Sequence, residues 1–279
     1  MTDTIIKIRN LSKAYGRHLA LDNVSLAVEQ GEIYGFLGSN GAGKSTTIRC
    51  ILGLIRHNKG QISLFGDQYD SLEETLDHIG YMPSEAMFYP NMTAKQVIRF
   101  AAKAHPNNDC SREAVRICNL LEVPLNKKIK DLSLGNRKKV SIVCALQHQP
   151  DLLILDEPTS GLDPLMQERF FQLLLEAKAA GRTTFLSSHV LSEVKAYCDR
   201  VAILKKGKIL TIDRVENLMH SQKKEVTIWK DGQSITQSFE GKASDLLKEL
   251  ASLEPDDILI EEPSLEDLFM HYYEEDDGK

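Results

Sequence analysis

The chain has 279 residues, 34 Lys and Arg against 40 Asp and Glu, a net charge of −6 and 42% hydrophobic residues. That is enough chain to bury one large core, with or without an appendage. No uncharged run exceeds eleven residues, the length of Val140–Pro150, whereas a membrane-spanning helix needs about 20 apolar ones. The first twenty residues are charged throughout with no apolar stretch, so a secretory signal is not expected and a cytoplasmic location is. The mild acidity argues against a generic nucleic-acid surface. Cys50, Cys110, Cys118, Cys144 and Cys198 stand singly, in no CxxC pair, which fits reduced thiols in a core better than disulfides or zinc. The acid is unevenly placed: Glu254 to Lys279 holds 11 acidic residues and one basic, leaving residues 1–253 with 33 basic against 29 acidic.

In chain order, Ile33–Leu37 reads as a buried strand and Ser45–Leu54 as a helix. An all-helical excursion follows, with Thr93–Lys103, Ser111–Leu121 and Arg137–Gln149 in helical spacing, placing a helical subdomain at about 86–149. Leu152–Leu155 is a buried strand, and Pro164–Ala180 a helix opened by Pro164 after Asp163. Thr183–Leu186 and Val201–Leu204 are further buried strands rich in β-branched residues. This alternation predicts an α/β domain over 1–213 with a largely parallel, helix-covered sheet. Residues 214–279 read as a small acidic α+β appendage: a hairpin from Glu225–Lys230 and Ser234–Glu240 about an Asp231-Gly232 turn, a helix at Ser244–Leu253, a strand at Ile258–Ile260 and a last helix at Ser264–Tyr273, with Glu274–Lys279 disordered.

Gly38-Ser39-Asn40-Gly41-Ala42-Gly43-Lys44-Ser45-Thr46 matches G-x-x-x-x-G-K-[ST] between a strand and a helix. Glycines let successive N–H groups curl around a phosphate, and the helix N-terminus adds its positive dipole. Lys44 would reach the β- and γ-phosphates of ATP and Ser45 would ligate Mg²⁺. Leu152-Leu153-Ile154-Leu155-Asp156-Glu157 is an apolar strand ending in two carboxylates. Adjacent strand residues point opposite ways, so the two cannot share one job: Asp156 would hold Mg²⁺, directly or through water, and Glu157 would polarise the attacking water.

Beyond these, Tyr15, Gly80–Glu85, Leu132-Ser133-Leu134-Gly135-Asn136, Ser160-Gly161-Leu162-Asp163 and His189 occur in one order with the phosphate loop. In that order the chain resembles the nucleotide-binding subunit of an ABC transporter along nearly all of residues 3–213. The resemblance implies a P-loop NTPase with a β-subdomain and a helical subdomain. It implies that Tyr15 stacks on adenine and that Ser133 and Gly135, with the N-terminus of helix Arg137–Gln149, address the γ-phosphate bound by a facing subunit. It also implies that Asp163 passes contacts across that interface and that His189 bonds the γ-phosphate. The partners implied are a second ABC ATPase subunit, identical or different, and a membrane-spanning permease that holds the chain at the inner face of the membrane.

Two departures stand out. The usual LSGGQ signature reads LSLGN, with Leu134 for Gly and Asn136 for Gln. The Q-loop glutamine, a Mg²⁺ neighbour in the family, aligns with Ser84, whose side chain is too short to reach; a bridging water or Glu85 is left to replace it. Met87-Phe88-Tyr89-Pro90-Asn91-Met92 either docks the permease or packs beneath the helical subdomain. LSLGN with Lys138-Lys139, Ser84 and the acidic end resembles the bacterial antibiotic-exporter branch, the bacitracin and daunorubicin type. An importer ATPase, or a ribosome- or DNA-associated ATPase, is the alternative. The roughly 87 residues between Ser45 and Leu132 leave no room for the long coiled coils of the repair type.

Overall fold

Ile33–Leu37, buried at all five positions, is the strand about which the larger sheet is ordered. A strand buried on both faces needs helices on both, and the computed structural model supplies them. It describes residues 3–85, 87–105, 109–219, 223–230, 232–241, 243–253 and 255–261. The elements run β1 (Thr4–Tyr15), β2 (His18–Glu29), β3 (Ile33–Leu37), α1 (Lys44–Ile51), β4 (Lys59–Leu64), α2 (Leu72–Asp77), β5 (Ile79–Met82), α3 (Ala94–Ala102), α4 (Ser111–Leu120), α5 (Leu134–Leu146) and β6 (Leu152–Asp156). There follow α6 (Pro164–Ala179), β7 (Thr183–Ser188), α7 (Leu191–Tyr197), β8 (Arg200–Lys205), β9 (Lys208–Arg214), α8 (Val215–Met219), β10 (Lys223–Lys230), β11 (Gln233–Glu240), α9 (Ala243–Leu253) and β12 (Asp257–Glu261). The chain divides into two units, Met1–Ile212 and Asp213–Lys279.

In the first unit a six-stranded sheet has the order β5-β6-β7-β3-β8-β9, with every pair from β5 through β8 parallel. A separate antiparallel sheet, β2-β1-β4, packs its buried face (Ile6, Ile8, Leu11, Leu21, Val24) into the same core as Tyr34, Phe36 and Phe185. This second sheet carries the β-subdomain that the resemblance implies. Its strands escaped the periodicity reading because β1 is broken by register shifts and by Asn10 at φ 51, so polar and apolar residues fall out of strict alternation. Helices α3 and α4 each pack on α5, and α5 also lies against β5. Thr93 opens α3 with a capping box to Gln96.

The second unit has a three-stranded antiparallel sheet, β11-β10-β12, whose Val226 and Ile228 pack on Leu246 and Leu250 of α9. The hairpin, helix and strand expected from the sequence lie here. The expected helix Ser264–Tyr273 and the tail Glu274–Lys279 fall outside the described residues. No helix among the described residues is long and apolar enough to cross a membrane. Cys50, Cys110, Cys118 and Cys198 are buried and Cys144 is half-buried. Burial pushes the Cys144 thiol up to about 12, which keeps it protonated and inert.

Phe185 of β7 is fully buried, stacked on Tyr34 at 5.9 Å and tilted against Phe36 at 5.2 Å. Truncation there leaves a cavity at the sheet centre. Phe185→Ala is expected to cost about 3–5 kcal/mol, to be read as a fall in the urea midpoint; a change under about 1 kcal/mol would show that the sheet closes over the gap.

Candidate functional site

Parallel strands deliver their following loops to one edge of the sheet, and four of the motifs leave it there: Gly38 after β3, Ser84 after β5, Glu157 after β6 and His189 after β7. The phosphate loop is sewn to its neighbour by the Gly38 N–H, which donates to the Ser188 carbonyl at 3.3 Å. Gly43 is the N-cap of α1 at φ 112, a left-handed conformation, and an added Cβ would meet Ala20 O at 2.9 Å; only glycine closes this turn without strain. The helix begins at Lys44, one residue before the sequence expectation, and ends at Ile51, ahead of Gly53 at φ 68. Ser39, Asn40 and Gly41 are exposed, Ala42 is buried, and Ser45 and Thr46 are half-buried at the helix mouth.

Lys44 is buried, and its ammonium donates to Gly38 O at 2.6 Å and Ser39 O at 3.3 Å. It also stands 3.0 Å from Glu157 Oε1. The other carboxylate oxygen of Glu157 meets His189 Nδ1 at 2.6 Å. Thus the structure brings Lys44, Glu157 and His189 into one contact chain. His189 itself is half-exposed, so its ring stands at the open side of the site.

The carboxylates are not disposed as successive strand residues. β6 stops at Asp156, and Glu157 turns out of the sheet at φ 48. The division of labour between them therefore rests on this turn rather than on pleat alternation. Ser187 supports both: its Oγ donates to Asp156 Oδ1 at 2.6 Å, and its carbonyl and Oγ each accept the Glu157 N–H at 3.2 Å. Asp156 is almost wholly buried with its Oδ1 engaged by Ser187, and its carboxylate offers the hard-oxygen donor chemistry suited to Mg²⁺. Burial, and next the Asp156 charge, push the Tyr81 phenol up. Ser187 was missed because the expected strand ended at Leu186; a pair of serines directly before His189 was the available signal.

The signature differs from expectation in its helix start. Helix α5 begins at Leu134, not Arg137, because Ser133 caps it by accepting the Asn136 N–H at 3.3 Å. The N–H groups at this terminus therefore belong to the signature itself. Gly135 lies so close to the Ser160–Asp163 turn that an added Cβ would be 2.5 Å from Gly161 O. Leu134 is exposed yet leans over Gly161, its Cδ2 3.1 Å from where a Cβ of that residue would sit. Signature and turn thus form one surface, and Asp163 caps α6 through the Met166 N–H at 3.0 Å.

Tyr15 is 46% exposed at the end of β1, with Lys13 Nζ 5.0 Å from its ring centroid. That ammonium also donates to Arg56 O at 2.7 Å, which fixes the ring's back face. At Ser84 it is the backbone that is engaged: Lys138 Nζ donates to Ser84 O at 2.7 Å. Glu85 is exposed. Beyond it Met87 is 96% and Tyr89 67% exposed, Phe88 is half-buried, and the Tyr89 ring stands edge-on to Phe100 at 6.4 Å.

A profile of the ABC transporter family matches residues 21–160. The chain is 42% identical over 212 residues to the bacitracin transport ATP-binding protein BcrA of Bacillus licheniformis, covering 74% of this chain and 69% of that protein. A solved ATP-binding subunit of an ABC transporter superposes with a TM-score of 0.71 at 32% identity, over 77% of this chain and 91% of its own. The ATP-binding cassette MJ0796, in a dimeric post-hydrolysis state bound to ADP and Pi, gives a TM-score of 0.67 at 26% identity, over 76% and 99% respectively. With its phosphate loop, paired carboxylates and histidine gathered at one sheet edge, the chain belongs to the ABC transporter family, as one of its ATP-hydrolysing subunits.

Proposed function

We propose that the chain powers export of an antibiotic, peptide or other amphiphile through a separate permease, and that it works as a head-to-tail pair with a second ATPase chain. The observation that carries the chemical reading is the Lys44–Glu157–His189 contact chain, with links of 3.0 and 2.6 Å. The cargo class is supported by the 42% identity to a bacitracin transport protein, and pairing by the dimeric relative.

In this reading α1 and the loop Gly38–Thr46 wrap the phosphates, and Lys44 moves from Glu157 onto the β- and γ-phosphates. An ammonium between one carboxylate and a polyphosphate favours the larger charge, so nucleotide entry itself unmasks Glu157. Glu157 then polarises the attacking water while His189 holds its second oxygen and faces the γ-phosphate. Ser45 and Asp156 would hold Mg²⁺, which supplies charge neutralisation at the phosphates. Tyr15 offers its free face to adenine, with Lys13 behind it. Ser133 and Gly135 reach the γ-phosphate bound by the opposite chain. Positioning and electrostatics carry most of such a reaction.

The permease is read as docking on the Met87–Met92 loop, where two apolar side chains stand in solvent beside α3. Through it the chain would sit peripherally on the inner membrane face. Nucleic acid has no part in this reading.

Glu157→Gln is expected to keep ATP binding and lose about 10²-fold or more in turnover, measured as phosphate release beside nucleotide affinity; turnover near wild type would remove Glu157 from the water. Tyr89→Ala combined with Met87→Ala should lower recovery of the chain with membranes holding its permease at least about tenfold, as loss of an interface anchor does, with basal ATPase unchanged. Undiminished recovery would place the docking surface elsewhere.

A further inference from the structure

Lys138 differs from the strand-end charges Asp156, Glu157 and His189 in coming from the signature helix. Its side chain is buried, 4% exposed, and its ammonium donates to the Ser84 carbonyl at 2.7 Å. Burial pulls its pKa down, while the charges of Asp156, Glu157 and Glu85 oppose that pull. Three segments therefore converge on one cation. β5 runs parallel to β6 with Met82 opposite Leu155, so the Pro83–Glu85 loop leaves the sheet level with Asp156 and Glu157. Helix α5 lies against β5 and brings Lys138 across. An aliphatic side chain would fill this space without the desolvation penalty that a buried ammonium carries. Packing alone thus gives no reason for a lysine; a charge-assisted bond to the backbone of a loop that leaves the sheet level with the two site carboxylates does.

We propose that Lys138 is a positioning residue that ties the Ser84 loop to the signature helix and places a fixed positive charge on the loop beside the Asp156–Glu157 strand end, so that loop, signature and water-polarising carboxylate shift together. The inference rests on the assignment of Glu157 to the attacking water. It places the link between loop and site on a helix lysine and a main-chain carbonyl, so the Ser84 side chain is not required for it.

The test is steady-state ATP hydrolysis by the full chain with Lys138→Met and Lys138→Arg, run beside wild type and Glu157→Gln. Lys138→Met is expected to lower kcat about tenfold or more, the scale of a lost charged hydrogen bond, with KM for ATP within about twofold because the phosphate loop is untouched. Lys138→Arg, which keeps charge and donor, should return kcat to within about threefold of wild type. Lys138→Met turning over like wild type would overturn the proposal, as would Met and Arg variants equally impaired, which would mean that size rather than charge matters. If Lys138→Met does not fold, Lys138→Gln is read in its place, and wild-type turnover there overturns the proposal equally. An active Glu157→Gln would instead overturn the assignment on which the inference rests.

Discussion

The position of Glu157, one residue past the end of β6, is the constraint on which the rest of the site depends. Its backbone sits at φ 48, a conformation that costs a residue with a Cβ about 1 kcal/mol or more. Ser187 on the neighbouring strand meets that cost by accepting the Glu157 N–H while its hydroxyl donates to Asp156. One side chain thus fixes both carboxylates, and they inherit the rigidity of a strand pair buried in the sheet. Were β6 to continue one residue further, Glu157 would follow the pleat and could not meet Lys44 and His189 at once.

The strand order explains why these groups meet at all. β3 lies between β7 and β8, and β7 between β6 and β3. The phosphate loop is therefore the lateral neighbour of the strand that carries Ser187 and leads into His189, and the carboxylates stand on that strand's other side. Two strands far apart in sequence, one ending at residue 37 and one at residue 188, are adjacent in space. The helical subdomain enters the same edge from β5, the outermost strand, through the loop that holds Ser84.

What the sequence made legible follows from how local each signal is. The phosphate loop and the buried strands β3, β6 and β7 announce themselves within ten residues, by glycine spacing and by short runs without a charge. The start of α5 did not, because Leu134-Gly135-Asn136 reads as a turn; the cap from Ser133 outweighs the poor propensity of Gly135 and Asn136. Ser187 and Lys138 were illegible for a different reason. A serine at a strand end and a lysine in a helix are ordinarily solvated, and only the sheet order and the packing of α5 turn them inward. The family resemblance supplied roles for Tyr15, Ser133 and His189 that no spacing in this chain specifies.

The same burial sets an electrostatic condition on the ligand. Asp156 and Lys138 are almost wholly buried, Lys44 is 6% exposed and the Glu157 side chain 14%. Lys44 meets Glu157 directly while Lys138 is held on the adjoining Ser84 loop, so the ammoniums and carboxylates of this edge roughly balance before any phosphate arrives. A polyphosphate brings several negative charges into a region where screening is weak, and drawing Lys44 away leaves Glu157 less compensated. Neutrality can be restored only by cations that come with the nucleotide or from the facing chain. Ser45 and Asp156 are suited to the first of these, a divalent ion. The second is the helix terminus at Ser133, exposed with its capped N–H groups at the surface of the same molecule. In the proposed pairing, a positive helix end that its own chain leaves open to solvent would complement a phosphate held by the facing chain, so charge balance as well as sequence order supports that reading.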